Sequence, residues 1–208
     1  YIPNNDPQVI LTPASKNTPQ INTAHVFGAR PGNPFLFKVA TTGMRPMKFS
    51  ANNLPEGLTI DAATGIITGK VKNQGNYVVL LKATNKLGEA TKKLTIKIGD
   101  TIALTPPIGW NGWNSWEAEI DQDKVLASAY AMVKTGLADH GWTYINVDDA
   151  WMGKRGGPDT ALQANEKFPD IKGMIDQIHA MGLKAGLYST PYLASYGGYV
   201  GASSDYPT

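Results

Sequence analysis

Between Ile21 and Gly99, apolar and polar residues alternate with a period of two. The runs PFLFKVA, MKFSA, LTIDAATGIITGKV, NYVVLLKAT and ATKKLTIKI are short and rich in β-branched or aromatic residues. Successive side chains of a strand point to opposite faces, so this alternation predicts strands buried on one side. Asp61-Ala62-Ala63-Thr64-Gly65 and Asn85-Lys86-Leu87-Gly88 separate neighbouring runs and predict hairpin loops with glycine in the left-handed position. Regularly spaced short strands without a helical pattern predict an antiparallel β-sandwich.

After Thr105 the period changes. IGWNGW reads as a short strand, and Asp121 as the N-cap of a helix running to about Leu137. That helix would bury Val125, Ala129, Met132 and Val133. WTYINVDDAW reads as a strand ending in acids. FPDIKGMIDQIHAMG is a second amphipathic helix with Ile171, Met174, Ile175, Ile178 and Met181 on its apolar face, stopped by Gly182. LKAGLYS is a third strand. The order strand, helix, strand, helix, strand predicts a parallel sheet, and both an open doubly wound sheet and a closed eight-fold barrel fit it. The expected organisation is an extended arm over 1–20, which holds four prolines, a sandwich over 21–100 and an α/β domain over 101–208. The glycine-rich SYGGYVGASSDYPT opens no helix, which argues against phosphate cradling; it is expected to be a mobile loop above the third strand or a frayed end.

Composition narrows the chemistry. With 42% hydrophobic and 17% charged residues in 208, a real core can form. Zero cysteines exclude disulfides, a thiol nucleophile and a zinc–thiolate site. Up to Leu104 there are 12 Lys+Arg against 5 Asp+Glu, and from Thr105 onward 7 against 12; all five Trp lie in the acidic half. The basic half does not read as a nucleic-acid surface, because its lysines alternate with apolar residues, as in KKLTIKI. No apolar run approaches the roughly 20 residues of a membrane span. The opening YIPNNDPQVILTPASKNTPQ does not read as a signal peptide.

In a parallel α/β layer, function sits at the carboxyl ends of the strands. Trp110 and Trp113, Asp148-Asp149-Ala150-Trp151, and Tyr188 fall there. Adjacent carboxylates closing an apolar strand repel each other and need donors. They read as an N-cap or solvated pair, as ligands of a divalent cation with a thin remaining ligand set, or as acceptors for sugar hydroxyls. Flanking indole rings, which offer flat apolar walls, favour the sugar. Trp142 reads as core packing. His140 and His179 read as structural or solvated, and His25 has no partner in view.

These residues carry a resemblance. Thr105-Pro106-Pro107-Ile108-Gly109-Trp110-Asn111-Gly112-Trp113-Asn114 resembles the opening of the glycoside hydrolase family 27 barrel, the α-galactosidase (melibiase) group. The similarity continues through Gly141–Trp151, Phe168-Pro169-Asp170 and Gly182–Ser189, covering about residues 103–190. Residues 20–100 resemble the immunoglobulin-like domain found ahead of such barrels in some bacterial enzymes. The resemblance implies a multidomain chain: a sandwich, then about three strands and two helices of a (β/α)8 TIM barrel. It implies retaining hydrolysis of terminal α-galactosyl groups of oligo- or polysaccharides, without cofactor or metal, in a periplasmic or extracellular setting. Trp113 matches the tryptophan that packs on galactose. Asp148 and Asp149 match the acid pair that holds its axial and primary hydroxyls, and Trp151 and Tyr188 match further pocket positions.

The sequence also departs from the pattern. Ala150 replaces a common half-cystine, and Ser189-Thr190-Pro191-Tyr192-Leu193 replaces the usual Asp-x-Gly continuation, which leaves the aglycone subsite and a β-L-arabinopyranoside substrate open. A whole barrel needs about 250 residues. The family's nucleophile and acid/base lie on later strands, so no catalytic residue is expected here and the chain by itself is expected to be inactive. A non-catalytic carbohydrate-binding or scaffold protein is the competing reading.

Overall fold

A computed structural model describes residues 14–101 and 103–202. The short strands of the first half are β1 (Gln20–Ile21), β2 (Val26–Ala29), β3 (Pro34–Lys38), β4 (Thr41–Thr42), β5 (Lys48–Asn52), β6 (Leu58–Ile60) and β7 (Ile66–Lys70). Two long ones follow, β8 (Gly75–Asn85) and β9 (Gly88–Ile98). They form a four-stranded sheet, β2-β9-β8-β5, a three-stranded sheet, β3-β7-β6, and the small pair β1-β4. Phe35 and Phe37 of β3 and Ile67 of β7 are buried with Val79, Leu81 and Ala83 of β8 and Leu94, Ile96 and Ile98 of β9. The alternation decides this: Val78 and Leu80, one residue out of phase on β8, are exposed. At the β6–β7 hairpin the Asp61 carboxylate accepts from the Thr64 amide (2.7 Å) and hydroxyl (2.9 Å) and from the Ala63 amide (2.9 Å), which holds its pKa below the ordinary value. Gly65 takes φ +70° there, as expected, whereas Gly88 sits at φ +153°, outside the left-handed well. The sandwich departs from the all-antiparallel expectation in one pair: β2 runs parallel to β9, because the two strands are not joined by a hairpin.

The second half consists of β10 (Gly109–Asn111), α1 (Trp113–Trp116), α2 (Gln122–Lys134), β11 (Tyr144–Val147), β12 (Met152–Gly156), β13 (Ala161–Ala164), α3 (Ile171–Ala180) and β14 (Lys184–Leu187). The order β10-β11-β14 is parallel throughout, with Gly109 opposite Tyr144 and Tyr144 opposite Lys184. Asp121 and Asp170 cap α2 and α3, accepting from Lys124 N (2.8 Å) and Gly173 N (2.9 Å). Val125, Ala129 and Met132 of α2, and Met174 and Ile178 of α3, cover Ile145 and Val147 of β11. Helix α2 stops at Lys134, short of Leu137, because Gly136 enters the left-handed region at φ +83° and a 3-10 turn over Leu137–His140 follows. Val133 is correspondingly exposed rather than buried.

Three further expectations change. Trp142 is 43% exposed, not core, because it stands in the loop ahead of β11. The antiparallel hairpin β12–β13 has no alternating apolar signal in MGKRGGPDTALQA and is visible only in the structure. The glycine-rich tail is knitted in as far as Ala202, with Ala194 bridged to Val200; residues 203–208 lie outside the described residues. Of the amino-terminal arm, residues 1–13 also lie outside them, while Asn17 O accepts from Met44 N at 2.9 Å.

The sandwich docks beneath the parallel sheet, at the amino-terminal ends of its strands. Arg45 pairs with Asp139 at 2.9 Å, and Asn22 Nδ2 donates to Asp139 O at 2.9 Å. The Lys184 ammonium, at the first residue of β14, stands 4.6 Å from the Phe27 ring centre and 5.1 Å from that of Tyr144. Asn111, Val147 and Leu187 end β10, β11 and β14 at the opposite, carboxyl-terminal side of the sheet.

Candidate functional site

Strand β11 buries Ile145 and Val147 on its core side. One residue further, Asp148 is half-buried. Its Oδ2 accepts from Asn111 Nδ2 at 2.7 Å, and its Oδ1 from the Asp149 amide at 2.8 Å. Asn111, the last residue of β10, uses its other side-chain atom as well: Asn111 Oδ1 accepts from Trp113 N at 2.9 Å. One amide therefore couples Asp148 to the turn that carries the half-buried Trp113 ring. Sequence reasoning missed Asn111; its position between two tryptophans at a strand end was the available signal.

Asp149 is enclosed, at 2% exposure. Its Oδ1 accepts from Ala150 N at 2.8 Å and its Oδ2 from Gly197 N at 2.7 Å. The Gly197 contact was also missed, since it joins residues 48 positions apart. Ala150 is buried at φ +74°, in a region that costs a non-glycine residue about 1–2 kcal/mol. Asn165 Nδ2 donates to Ala150 O at 2.9 Å and holds the turn. The chain thus reverses after the acid pair and brings Trp151 back against β14, where its Nε1 donates to Tyr188 O at 2.8 Å. Tyr188 in turn donates its amide to Val147 O at 2.9 Å. Trp151 is largely buried and Tyr188 half-buried, so both serve more as wall than as open surface.

Trp113, Asp148, Asp149, Trp151 and Tyr188 are therefore joined by a continuous set of hydrogen bonds across the carboxyl ends of three adjacent strands. His25, His140 and His179 are exposed and outside this network, and His140 faces Ser15 Oγ at 3.4 Å. Among the described residues no group of three or more His, Asp or Glu is arranged to hold a metal ion. Each carboxylate meets neutral N–H donors, and its remaining lone pairs can accept from hydroxyl groups.

The fold is a β-sandwich ahead of a parallel α/β layer, with acids and indole rings at the strand carboxyl ends. The chain belongs to the alpha galactosidase A family, whose model matches residues 105–208. Residues 13–99 match a family described as "Putative Ig domain". A crystal structure from Bacteroides fragilis titled a "putative alpha-galactosidase" is 43% identical, with a TM-score of 0.87 over 95% of this chain and 42% of that one. A second from the same organism, titled "putative alpha-galactosidase/melibiase", is 45% identical, with a TM-score of 0.85 over 92% and 41%. A curated relative named probable alpha-galactosidase B, from Neosartorya fischeri, is 46% identical over 103 residues, covering 47% of this chain and 23% of the relative. The chain spans about a quarter of the length of the curated relatives it matches.

Proposed function

We propose that this chain is the galactose-recognising part of a retaining α-galactosidase that acts on terminal α-galactosyl groups of oligo- or polysaccharides. The observation that carries the reading is the acid pair at the end of β11, tied through Asn111 to the tryptophan turn at the end of β10. In this reading Trp113 packs on the apolar face of the sugar, and Asp148 and Asp149 accept from its axial and primary hydroxyls. Trp151 and Tyr188 wall the pocket. A site built to accept from an axial hydroxyl leaves buried acceptors unpaired when glucose enters, which is the basis for rejecting it.

Asp148 and Asp149 are recognition groups rather than the reacting pair. Retaining hydrolysis needs two carboxylates about 5–5.5 Å apart flanking the scissile bond. Neighbouring residues on one strand end, each already bound by backbone amides, hold one side of a sugar instead. The nucleophile and the acid/base belong to later strands of a closed (β/α)8 barrel, outside these 208 residues. In this reading the sandwich is a structural module beneath that barrel, and the family resemblance points to a periplasmic or extracellular setting.

Calorimetry with the 208-residue chain tests the reading. Methyl α-galactoside is expected to bind, methyl α-glucoside not, and Asp148→Asn to abolish binding. An aryl α-galactoside is expected to release no galactose. Equal binding of both sugars overturns the recognition roles, and turnover by the chain overturns the assignment of catalysis to later strands.

A further inference from the structure

The seam between the two domains contains a cavity of about 270 Å3, on the side of the sheet away from Asp148 and Asp149. Both domains wall it: Thr23, Phe27, Phe37 and Lys38 from the sandwich, Tyr144 and Lys184 from the parallel layer. Backbone hydrogen bonds fix these walls. Thr143 N donates to Ile108 O at 2.9 Å and Lys184 N to Thr143 O at 2.7 Å, which ties the starts of β10, β11 and β14 together. On the sandwich side Asn22 N donates to Ala40 O at 2.8 Å. Thr23 and Phe37 are each only 5% exposed. The two docked domains give that burial by themselves, so further barrel strands would add to it rather than undo it.

Two polar groups on these walls lack the partners that burial demands. The Thr23 hydroxyl makes no hydrogen bond among the described residues, although the Thr23 carbonyl accepts from Lys92 Nζ. Lys184 Nζ faces the rings of Phe27, Phe37 and Tyr144, but no described carboxylate pairs with it and no described oxygen accepts from it. Burial lowers the pKa of Lys38 as well as that of Lys184, so a second enclosed ammonium lines the same space. His140 lines it too, whereas no aspartate or glutamate does. Asp139, whose charge reaches Lys38, is engaged by Arg45 at 2.9 Å. An enclosed ammonium without an acceptor and an enclosed hydroxyl without a partner are both costly, and an anion relieves both. No arginine, the side chain best shaped for phosphate, lines the cavity. Its remaining walls are largely apolar, with Pro106 and Ile108 extending the surface begun by the three rings. A cationic group set in an apolar wall suits a carboxylate on an apolar body.

We propose that this seam is a binding site for a small organic carboxylate, with its charge on the Lys184 ammonium and its apolar body against the surrounding rings. The Thr23 hydroxyl, on the wall of the same cavity, is the second polar contact. Because each domain supplies part of the walls, the bound carboxylate fastens the sandwich to the parallel layer. The site is independent of the galactose reading.

NMR titration of the backbone amide signals of the 208-residue chain tests the site, with benzoate as the probe. Benzoate is expected to shift the signals of Thr23, Thr143, Tyr144 and Lys184 and to raise the melting temperature. Benzamide has the shape without the charge, and inorganic phosphate the charge without the apolar body. Each is expected to bind about ten-fold more weakly than benzoate, or less. Lys184→Met is expected to fold and to weaken benzoate binding about ten- to a hundred-fold. Thr23→Val keeps the shape and removes the unpartnered hydroxyl. It is expected to weaken binding about three-fold while leaving the unliganded chain at least as stable, a pattern that a structural hydroxyl would not give. Benzamide or phosphate binding as tightly as benzoate would overturn the carboxylate assignment. Unchanged affinity in Lys184→Met, displacement of benzoate by methyl α-galactoside, or no binding by the wild type would overturn the site.

Discussion

Replacing Lys184 by methionine removes a charge that the docked domains enclose while keeping an unbranched apolar stem of similar reach. Its ammonium lies between Phe27 and Phe37 of the sandwich and Tyr144 of the parallel layer, 4.6, 5.8 and 5.1 Å from their ring centres. Burial lowers its pKa from 10.5 to about 8. At about 1.4 kcal/mol per pH unit, that drop corresponds to about 3 kcal/mol of disfavoured charge. The three ring faces attract the ammonium and offset part of it, at about 0.5–1 kcal/mol or more each. Between about pH 8 and 10.5 the unfolded chain still binds the Lys184 proton while the folded one has released it, so stability rises with pH across that window. Below it, both states carry the charge and the folded state bears the burial cost in full. Urea denaturation followed by circular dichroism from about pH 7 to about pH 10.5 reads the difference. Wild type is expected to gain about 1–3 kcal/mol relative to Lys184→Met across the window, with Lys184→Met the more stable near neutrality. Because all other titrating groups are common to both proteins, parallel profiles would refute the reasoning: Lys184 would then be solvated and the domain interface open.

Two further substitutions test how the site is held. Asn111→Ala removes the amide that joins Asp148 Oδ2 to Trp113 N, and is expected to cost about 1 kcal/mol in thermal unfolding and to weaken galactoside binding; unchanged binding would detach Asn111 from the site. Gly109→Ala would place a Cβ 2.0 Å from the Tyr144 carbonyl oxygen, and is expected to destabilise the chain by about 1–3 kcal/mol, with an unaltered melting temperature as the contrary result.

Periodicity made the main elements legible. In β8, Val79, Leu81 and Ala83 alternate with polar or exposed positions, and in α3 the buried Met174 and Ile178 recur at helical spacing. Asp121 was readable as a cap because a short acid one residue ahead of a helix satisfies its free amides, whereas Asp170, which caps α3 in the same way, was not singled out. The hairpin β12–β13 was not legible, since its strands are held by backbone pairing and a glycine-rich turn rather than by a buried apolar row. Trp142 failed for a related reason: ring size says nothing about where a loop residue lies relative to a neighbouring layer. The glycine-rich segment from Ser195 onward read as a mobile loop or frayed end because small and glycine residues carry no periodic signal, yet as far as Ala202 its amides close on carbonyls of the same loop and on Asp149.

For the site, the residue types and their strand-end positions were available from the chain alone. Trp113, Asp148, Asp149, Trp151 and Tyr188 follow from where each strand stops, because local alternation fixes which residue comes last. Their division of labour was not available. Asp148 is half-open and Asp149 enclosed because Asn111 and Gly197, from different strand ends, arrive on one acid each. Nor could one-dimensional pattern show that the sandwich docks at the opposite ends of the strands, or that Lys184 is caught between the two domains. Sequence determined the elements, their order and the chemical groups at their ends, since those depend on neighbours along the chain. Tertiary structure decided which of those groups are enclosed and which stay open, since that depends on contacts between residues far apart in sequence.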